Sequence, residues 1–244
     1  MNQHSGAGGG RITGPLKTWY DLHEALAHEV TGIAADAATL TVDGVDAFAT
    51  RFWAFDRELR AHSEVEDGIM FPAIVDRGGR IDAVLGQEHR DEQLAVYAVG
   101  AGLLHARATR SSDTLAALGP LTTELRDSLI AHLELEERSL GQVDGLFSDD
   151  EQSALFRMII TSLPPDPGLQ PWVTAALSPD HLEARLRNIA SSMSTPALTG
   201  LLTQIHDGVG ADTWALIEER TPDLAALVSP AARSDPEPSR RSPR

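Results

Sequence analysis

The sequence predicts an all-α protein: an up-down-up-down four-helix bundle with a smaller C-terminal helical appendage. Three observations lead there. The chain is 42% hydrophobic, with Ala and Leu dominant and β-branched runs scarce, a composition that favours helices. Four long stretches carry apolar residues at alternating steps of three and four, the spacing of a single helical face. The connections between these stretches are short, which makes consecutive helices antiparallel neighbours.

Residues 1–14, including Gly8-Gly9-Gly10, read as a flexible tail. The first helix, Leu16 to Ala38, places Leu16, Trp19, His23, Leu26, Val30 and Ile33 on one face. The second, Val45 to Val75, runs Val45, Phe48, Phe52, Phe55, Leu59, His62, Glu66, Ile69. It ends at Asp76-Arg77-Gly78-Gly79, a C-cap and turn signal, and Pro72 is expected to kink or fray its last turn. The third, Ile81 to Arg107, carries Leu85, His89 and Val96. The fourth, Asp113 to Val143, carries Leu118, Leu121, Leu125, Leu129, His132, Glu136, Leu140 and Val143, with Pro120 in its N-terminal half. The bundle accordingly takes residues 15–147.

Residues 148–228 are read as the appendage. A helical stretch runs from Ser148-Asp149-Asp150 to Leu163 and is broken by Pro164-Pro165-Asp166-Pro167-Gly168. Three shorter helices follow, Ser178 to Ser192, Thr195 to Asp207 and Ala211 to Val228. Ser178-Pro179 and Thr195-Pro196 each set an N-cap residue before a proline at the first helical position. Trp172 and Trp214 are expected to anchor this region. Residues 229–244, rich in Pro, Ser and Arg, read as a disordered tail.

The chemistry lies in a repeated pattern, His62-x-x-x-Glu66 and His132-x-x-x-Glu136. Residues four apart share a helical face, so these side chains replace hydrophobes where the core should be. A carboxylate in a dry core costs several kcal/mol unless it is paired or bound to a metal. His23 and His89 sit on the apolar faces of the other two helices, and Glu92 lies one turn beyond His89. Each helix thus brings a histidine inward and two bring a glutamate. Two imidazoles per ion with two bridging carboxylates make a dinuclear arrangement. With no cysteine in the chain, the donors are nitrogen and oxygen, which suit iron, manganese or zinc.

Other polar residues read as bystanders. His28 points about 140° away from His23 and belongs on the surface. His105, His181 and His206 lack patterned carboxylates. Glu134 and Glu137 fall on the wet side of Glu136, and Tyr20 and Tyr97 read as packing residues. The net charge of -16 argues against nucleic acid or an anionic membrane as partner. No apolar stretch of about 18 residues and no signal-peptide pattern are found, so the expectation is a soluble, cytoplasmic protein.

On these residues the chain resembles the hemerythrin-like, or HHE cation-binding, domains. The resemblance spans Leu16 to Leu146 and follows their order: a His, a His-x-x-x-Glu, a His, then a second His-x-x-x-Glu. It implies a non-haem di-iron centre, with His23 and His62 on one iron, His89 and His132 on the other, and Glu66 and Glu136 as bridges. Two departures stand out. Gln93 occupies the position where oxygen-carrying hemerythrins have a further histidine. Glu136 follows His132 by four positions where those proteins have an aspartate at five. Fewer histidines leave an open position or an oxygen ligand, for which Glu92 is the nearest candidate. That points away from reversible O2 carriage and toward activation of O2 or peroxide, or iron handling. The ferritin-like alternative needs Glu-x-x-His pairs, and this sequence has none.

The implied function is a di-iron protein that meets O2, peroxide or nitric oxide, removing peroxide or oxidising a small substrate. The alternative is a non-catalytic iron or oxygen sensor that signals through its C-terminal helices. A bundle without metal would have to accommodate its buried His and Glu side chains by other means.

Overall fold

The computed structural model describes residues 11–162 and 168–228, with no strand among them. The chain divides into two compact units at Pro165–Asp166. In the first, a 3-10 turn Pro15–Thr18 leads into α1 (Trp19–Ala38), and α2 (Val45–Val65) continues through a π-helical turn Glu66–Met70 into α3 (Phe71–Asp76). Then come α4 (Leu85–Thr109), α5 (Ser112–Ala116), α6 (Leu118–Leu140), α7 (Val143–Leu146) and α8 (Asp149–Ser162). α1 packs against α2 and α6, and α4 against the same two, so the four long helices close a ring around one core.

The π-helical turn has a cause in the sequence. Pro72 has no N–H to close onto Gly68, and its ring crowds that carbonyl. The chain absorbs the mismatch by widening the turn before it, as π-bulges do. One extra residue enters the turn, so Met70, rather than Ile69, takes the buried position at the end of the α2 stripe. The helix then stops where expected. Gly78 has φ 81°, and Gly78 N–H and Gly79 N–H close onto Val75 and Ile74 carbonyls at 2.9 Å each, the closure of a Schellman cap.

The fourth predicted helix is two helices. α5 ends at Ala116 and α6 begins at Leu118. Pro120 cannot donate to the carbonyl of Ala116, so the break falls where that bond is missing, and the proline sits within the first turn of α6.

Residues 11–14 were assigned to a flexible tail, but here they are fastened to the bundle. Ile12 is buried and its N–H donates to Tyr20 Oη at 3.0 Å. Thr13 donates to Asp144 through both N–H (2.7 Å) and hydroxyl (2.6 Å). Residues 1–10 and 229–244 of the two expected tails, and 163–167 of the expected break, lie outside the described residues. α8, grouped from sequence with the appendage, falls in the first unit and packs on the 3-10 turn. Its Gln152 is buried, accepts from Leu16 N–H at 3.2 Å and donates to Asp144 at 3.0 Å.

The second unit holds α9 (Leu169–Ala176), α10 (Pro179–Ser192), α11 (Thr195–Gly208), α12 (Ala211–Arg220) and α13 (Pro222–Ala225). α9 packs on α11 and α10 on α12, around Val173, Leu182, Leu186, Leu202, Ile205 and Ile217. Ser178 is the N-cap of α10 as expected, whereas α11 is capped by Ser194, with Thr195 its first residue. Trp172 and Trp214 are half-buried, the latter edge-on to His206 with ring centroids 4.7 Å apart.

Removing the Gln152 amide strands the Leu16 N–H inside the protein. Gln152→Ala is expected to cost about 1–3 kcal/mol, read as a lower urea midpoint for the full-length chain without metal.

Candidate metal centre

The six histidines and glutamates singled out on the four bundle helices meet at one place. His23, His62, His132, Glu66 and Glu136 are almost wholly inaccessible, and His89 nearly so at 7% exposure. Their side-chain atoms form two overlapping groups, His23, His62, Glu66 and Glu136 in one, and Glu66, His89 and His132 in the other. Within each group, one donor atom per residue lies within 4.8 Å of all the others.

Glu66 belongs to both groups. One of its oxygens, Oε1, is 3.2 Å from His62 Nε2 and 3.7 Å from His23 Nε2, while Oε2 is 3.4 Å from His89 Nε2. Glu136 Oε2 lies 3.5 Å from His23 Nε2 and 3.8 Å from both His62 Nε2 and His132 Nε2. The imidazoles fall into two pairs, His23 with His62 (centroids 5.0 Å apart) and His89 with His132 (4.7 Å).

Burial sets the protonation pattern. His62 is driven down to about 3 by burial, and burial likewise lowers His132 against the pull of Glu88. Burial opposes the charge of His89 too, but Glu66 and Asp67 outweigh it and lift this ring to about 9. On His23, Glu137 and Glu66 similarly overcome burial and raise it. The two central glutamates split. Burial disfavours the charge on Glu66, yet the surrounding histidines hold it well below the usual carboxylate range. Burial and the neighbouring Glu66 push Glu136 well above it. Two carboxylates this close do not both ionise without a cation between them.

Hydrogen bonding leaves the centre unfilled. Both nitrogens of His23, His62 and His89, His132 Nε2, Glu66 Oε2 and both oxygens of Glu136 are buried without a hydrogen-bond partner. Native proteins rarely leave such atoms bare. The donors are neutral-capable imidazoles and carboxylates aimed inward at a common volume, so a pair of divalent cations fits them.

Glu92, expected as the nearest additional donor, is 2% exposed, and neither of its oxygens has a hydrogen-bond partner. Burial raises it to about 8. Its Oε1 lies 3.7 Å from the outer nitrogen of His132, Nδ1.

An outer set of residues escaped the sequence reading. Glu137 Oε1 lies 3.4 Å from His23 Nδ1, Asp67 Oδ1 3.1 Å from His89 Nδ1, and Glu88 Oε2 2.9 Å from His132 Nδ1. Glu88 hydrogen-bonds its ring, while Asp67 and Glu137 are charge neighbours of theirs. A carboxylate on that side favours the proton on the outer nitrogen and leaves Nε2 as the inward lone pair. Glu137, expected on the wet side of Glu136, is in fact only 28% exposed. Trp19, read only as an apolar face residue, donates its indole N–H to Glu66 Oε1 at 2.7 Å and stacks on His62 with centroids 5.3 Å apart. The available signal was adjacency: each outer carboxylate is next in sequence to an inner residue. The bystanders stay outside. His28, His105, His181, His206 and Glu134 are exposed. Tyr97, at 54% exposure, faces Arg60, and Tyr20 binds Ile12 N–H.

These features define a helical-bundle protein built to hold cations with imidazole and carboxylate donors. The profile of the hemerythrin HHE cation-binding domain matches residues 14–143, over half of this 244-residue chain; the protein belongs to that family. Comparison with curated proteins and with solved structures gave no match. Among the described residues no helix is long and apolar enough to cross a membrane.

Two outcomes are expected. Glu88→Ala frees the outer nitrogen of His132, and metal affinity should fall by about 10–100-fold, measured by competition with a chromophoric chelator. His89, near 9 without metal, is protonated at pH 7 and must lose that proton to donate. Loading should therefore release about one proton or more per chain in weakly buffered solution, and affinity should climb as pH rises from 7 toward 9.

Proposed function

We propose that the protein is a non-haem di-iron protein whose centre reacts with O2, hydrogen peroxide or nitric oxide, with peroxide removal or oxidation of a small substrate as its activity. The observation that carries the reading is the set of buried, inward-facing donors from four helices that lack hydrogen bonds. His23 and His62 would hold one ion, His89 and His132 the other, and Glu66 and Glu136 would lie between them, with Glu92 as an added donor.

When bound, the metal pair supplies a Lewis-acidic position and electrons for a small oxidant. The chain supplies the surroundings. Asp67, Glu88 and Glu137 keep the outer imidazole nitrogens protonated so that the inner ones can donate. Trp19 fixes one oxygen of Glu66. Trp19, Met70, Phe71 and Leu140 pack a dry layer at this end of the bundle, which excludes water and strengthens every charge interaction inside. Glu92 and Gln93 both line a cavity beside His89, which favours an open coordination position over a site saturated by histidine. The acidic chain, at net charge -16, suits a small neutral ligand and disfavours nucleic acid or an anionic membrane, in keeping with a cytoplasmic protein.

Metal analysis after aerobic expression should find about two irons per chain, with near-ultraviolet absorption from the ligated metal. Manganese or zinc in their place would overturn the iron assignment, and an absence of metal would overturn the centre itself. Glu66→Ala and Glu136→Ala, checked for retained helicity, should lose iron and any peroxide consumption together. Iron-loaded protein that leaves peroxide untouched would favour the sensor reading instead.

A further inference from the structure

Four histidines and two glutamates are sealed inside the bundle, so cations need a way in. A cavity of about 680 Å³ opens between α2 and α4 and reaches the centre at His89, with Glu92 and Asp67 also in its lining. Glu64 and Asp67 line its wall and are exposed; Asp56 lines it too but is buried. Two arginines share the wall, but both are engaged. Arg60 is paired with Asp56 at 2.9 Å and donates to Tyr97, and Arg90 donates to Gln87 at 2.7 Å.

Acidic residues at a cavity mouth would mean little alone. Here a second feature points to a ligand: Glu92 is 2% exposed, belongs to the cavity lining, and has neither oxygen in a hydrogen bond. It shares the cavity lining with Glu64, Asp67 and His89, and its Oε1 is 3.7 Å from His132 Nδ1. Resting on the reading of a buried metal centre, we infer that this cavity is the port by which divalent cations reach the centre, with Glu92 as the carboxylate that receives them. Asp67 and Glu64 lower the potential along the path, and a cleft with low-dielectric walls focuses that field. The ion sheds its water onto Glu92 and passes to His89 and Glu66, whose facing atoms are 3.4 Å apart.

The test follows uptake of Co²⁺ by metal-free, full-length protein in stopped flow, read by visible absorption. Gly68 lines the cavity, and a Cβ added there meets nothing within 4 Å, so Gly68→Phe can plug the port without disturbing the backbone. It should slow loading by about tenfold or more, since an access path governs rates far more than final affinity, and final stoichiometry should be unchanged. The double variant Glu64→Gln/Gln93→Lys makes the wall two charges more positive. Its loading should be several-fold slower at low salt and return toward wild type near 0.5 M salt, where screening length is only about 4 Å. Glu92→Gln keeps the shape but replaces an ionisable carboxyl, which can give up its proton to bind a cation, with a neutral amide, and should also load slowly. Asp113→Asn, an exposed carboxylate on α5, should load as wild type.

Wild-type rates in Gly68→Phe, or in the folded charge variant at low salt, would overturn the port while leaving the centre intact. Failure of the wild-type chain to take up Co²⁺ at all would overturn the centre, and the port with it.

Discussion

The structure turns on one constraint: two carboxylates and four imidazoles share a dry volume in which they cannot satisfy one another. Their contacts with one another run from 3.2 to 3.8 Å, and all their nitrogens and oxygens except Glu66 Oε1 and His132 Nδ1 are left without hydrogen bonds. A bundle of this size could have filled the same volume with Leu and Ile at no electrostatic cost. Burying ions without partners instead costs several kcal/mol, and the protonation pattern shows how the chain copes without metal. Glu66 keeps its charge against the raised His23 and His89, while Glu136 keeps its proton. A pair of cations removes the conflict by letting both carboxylates ionise and all four rings be neutral. Metal and fold are therefore coupled: what destabilises the metal-free core is what binds the ions.

The outer carboxylates follow from the same constraint. An imidazole donates usefully only if its proton is on the other nitrogen, and three of the four rings have a carboxylate there to hold it. The fourth, His62, is the ring lowered furthest by burial, and Trp19 stacks on it. Trp19 also restrains Glu66 by a direct hydrogen bond, so one side chain orients both members of the His62/Glu66 pair. The π-helical turn belongs to this scheme. It begins at Glu66 itself, and Asp67, the next residue, is the one that reaches His89. A local backbone irregularity forced by Pro72 thus coincides with the point where one helix must serve both an inner and an outer position.

How much of this could be read from the chain depends on which signals are periodic. His23, His62, Glu66, His89, His132 and Glu136 interrupt apolar stripes, and a stripe fixes direction relative to the core. Their convergence was therefore legible without coordinates. Glu88, Asp67 and Glu137 are a single residue away from that stripe, about 100° around the helix. At that angle a side chain can reach back to a neighbouring ring or lie in water, and periodicity does not distinguish the two. Glu92, three residues after His89 and so about 60° from it around the helix, lies at the edge of the stripe, and its burial comes from the packing around it. The break before Leu118 and the widened turn before Pro72 were marked by their prolines, but the form each took depended on which carbonyl lost its partner. The attachment of Ile12 and Thr13 carried no signal at all, because it rests on Tyr20 and Asp144, far apart in sequence.

The two halves of the centre are not equivalent, and the difference is built from these same details. Around His23 and His62 the protein is closed: Trp19 and Tyr20 pack against the rings, and Ile12 binds Tyr20. Arg11 lies over the Tyr20 ring and 3.5 Å from Glu137. Around His89 and His132 it is open. Asp67 is 51% exposed and Glu88 32%, and the cavity reaches His89 and Glu92. The closed half supplies the rigid pair of rings and the hydrogen bond that sets Glu66. The open half contains His89, the imidazole raised to about 9, and the Glu92 carboxyl, neither of whose oxygens has a hydrogen bond. Contact with solvent falls on this side, where Glu92 and Gln93 line the cavity beside His89. In this bundle Gln93, the departure from the oxygen-carrier pattern, lines the same cavity as His89 and Glu92, so the residue that is not a histidine lies on the open side of the centre.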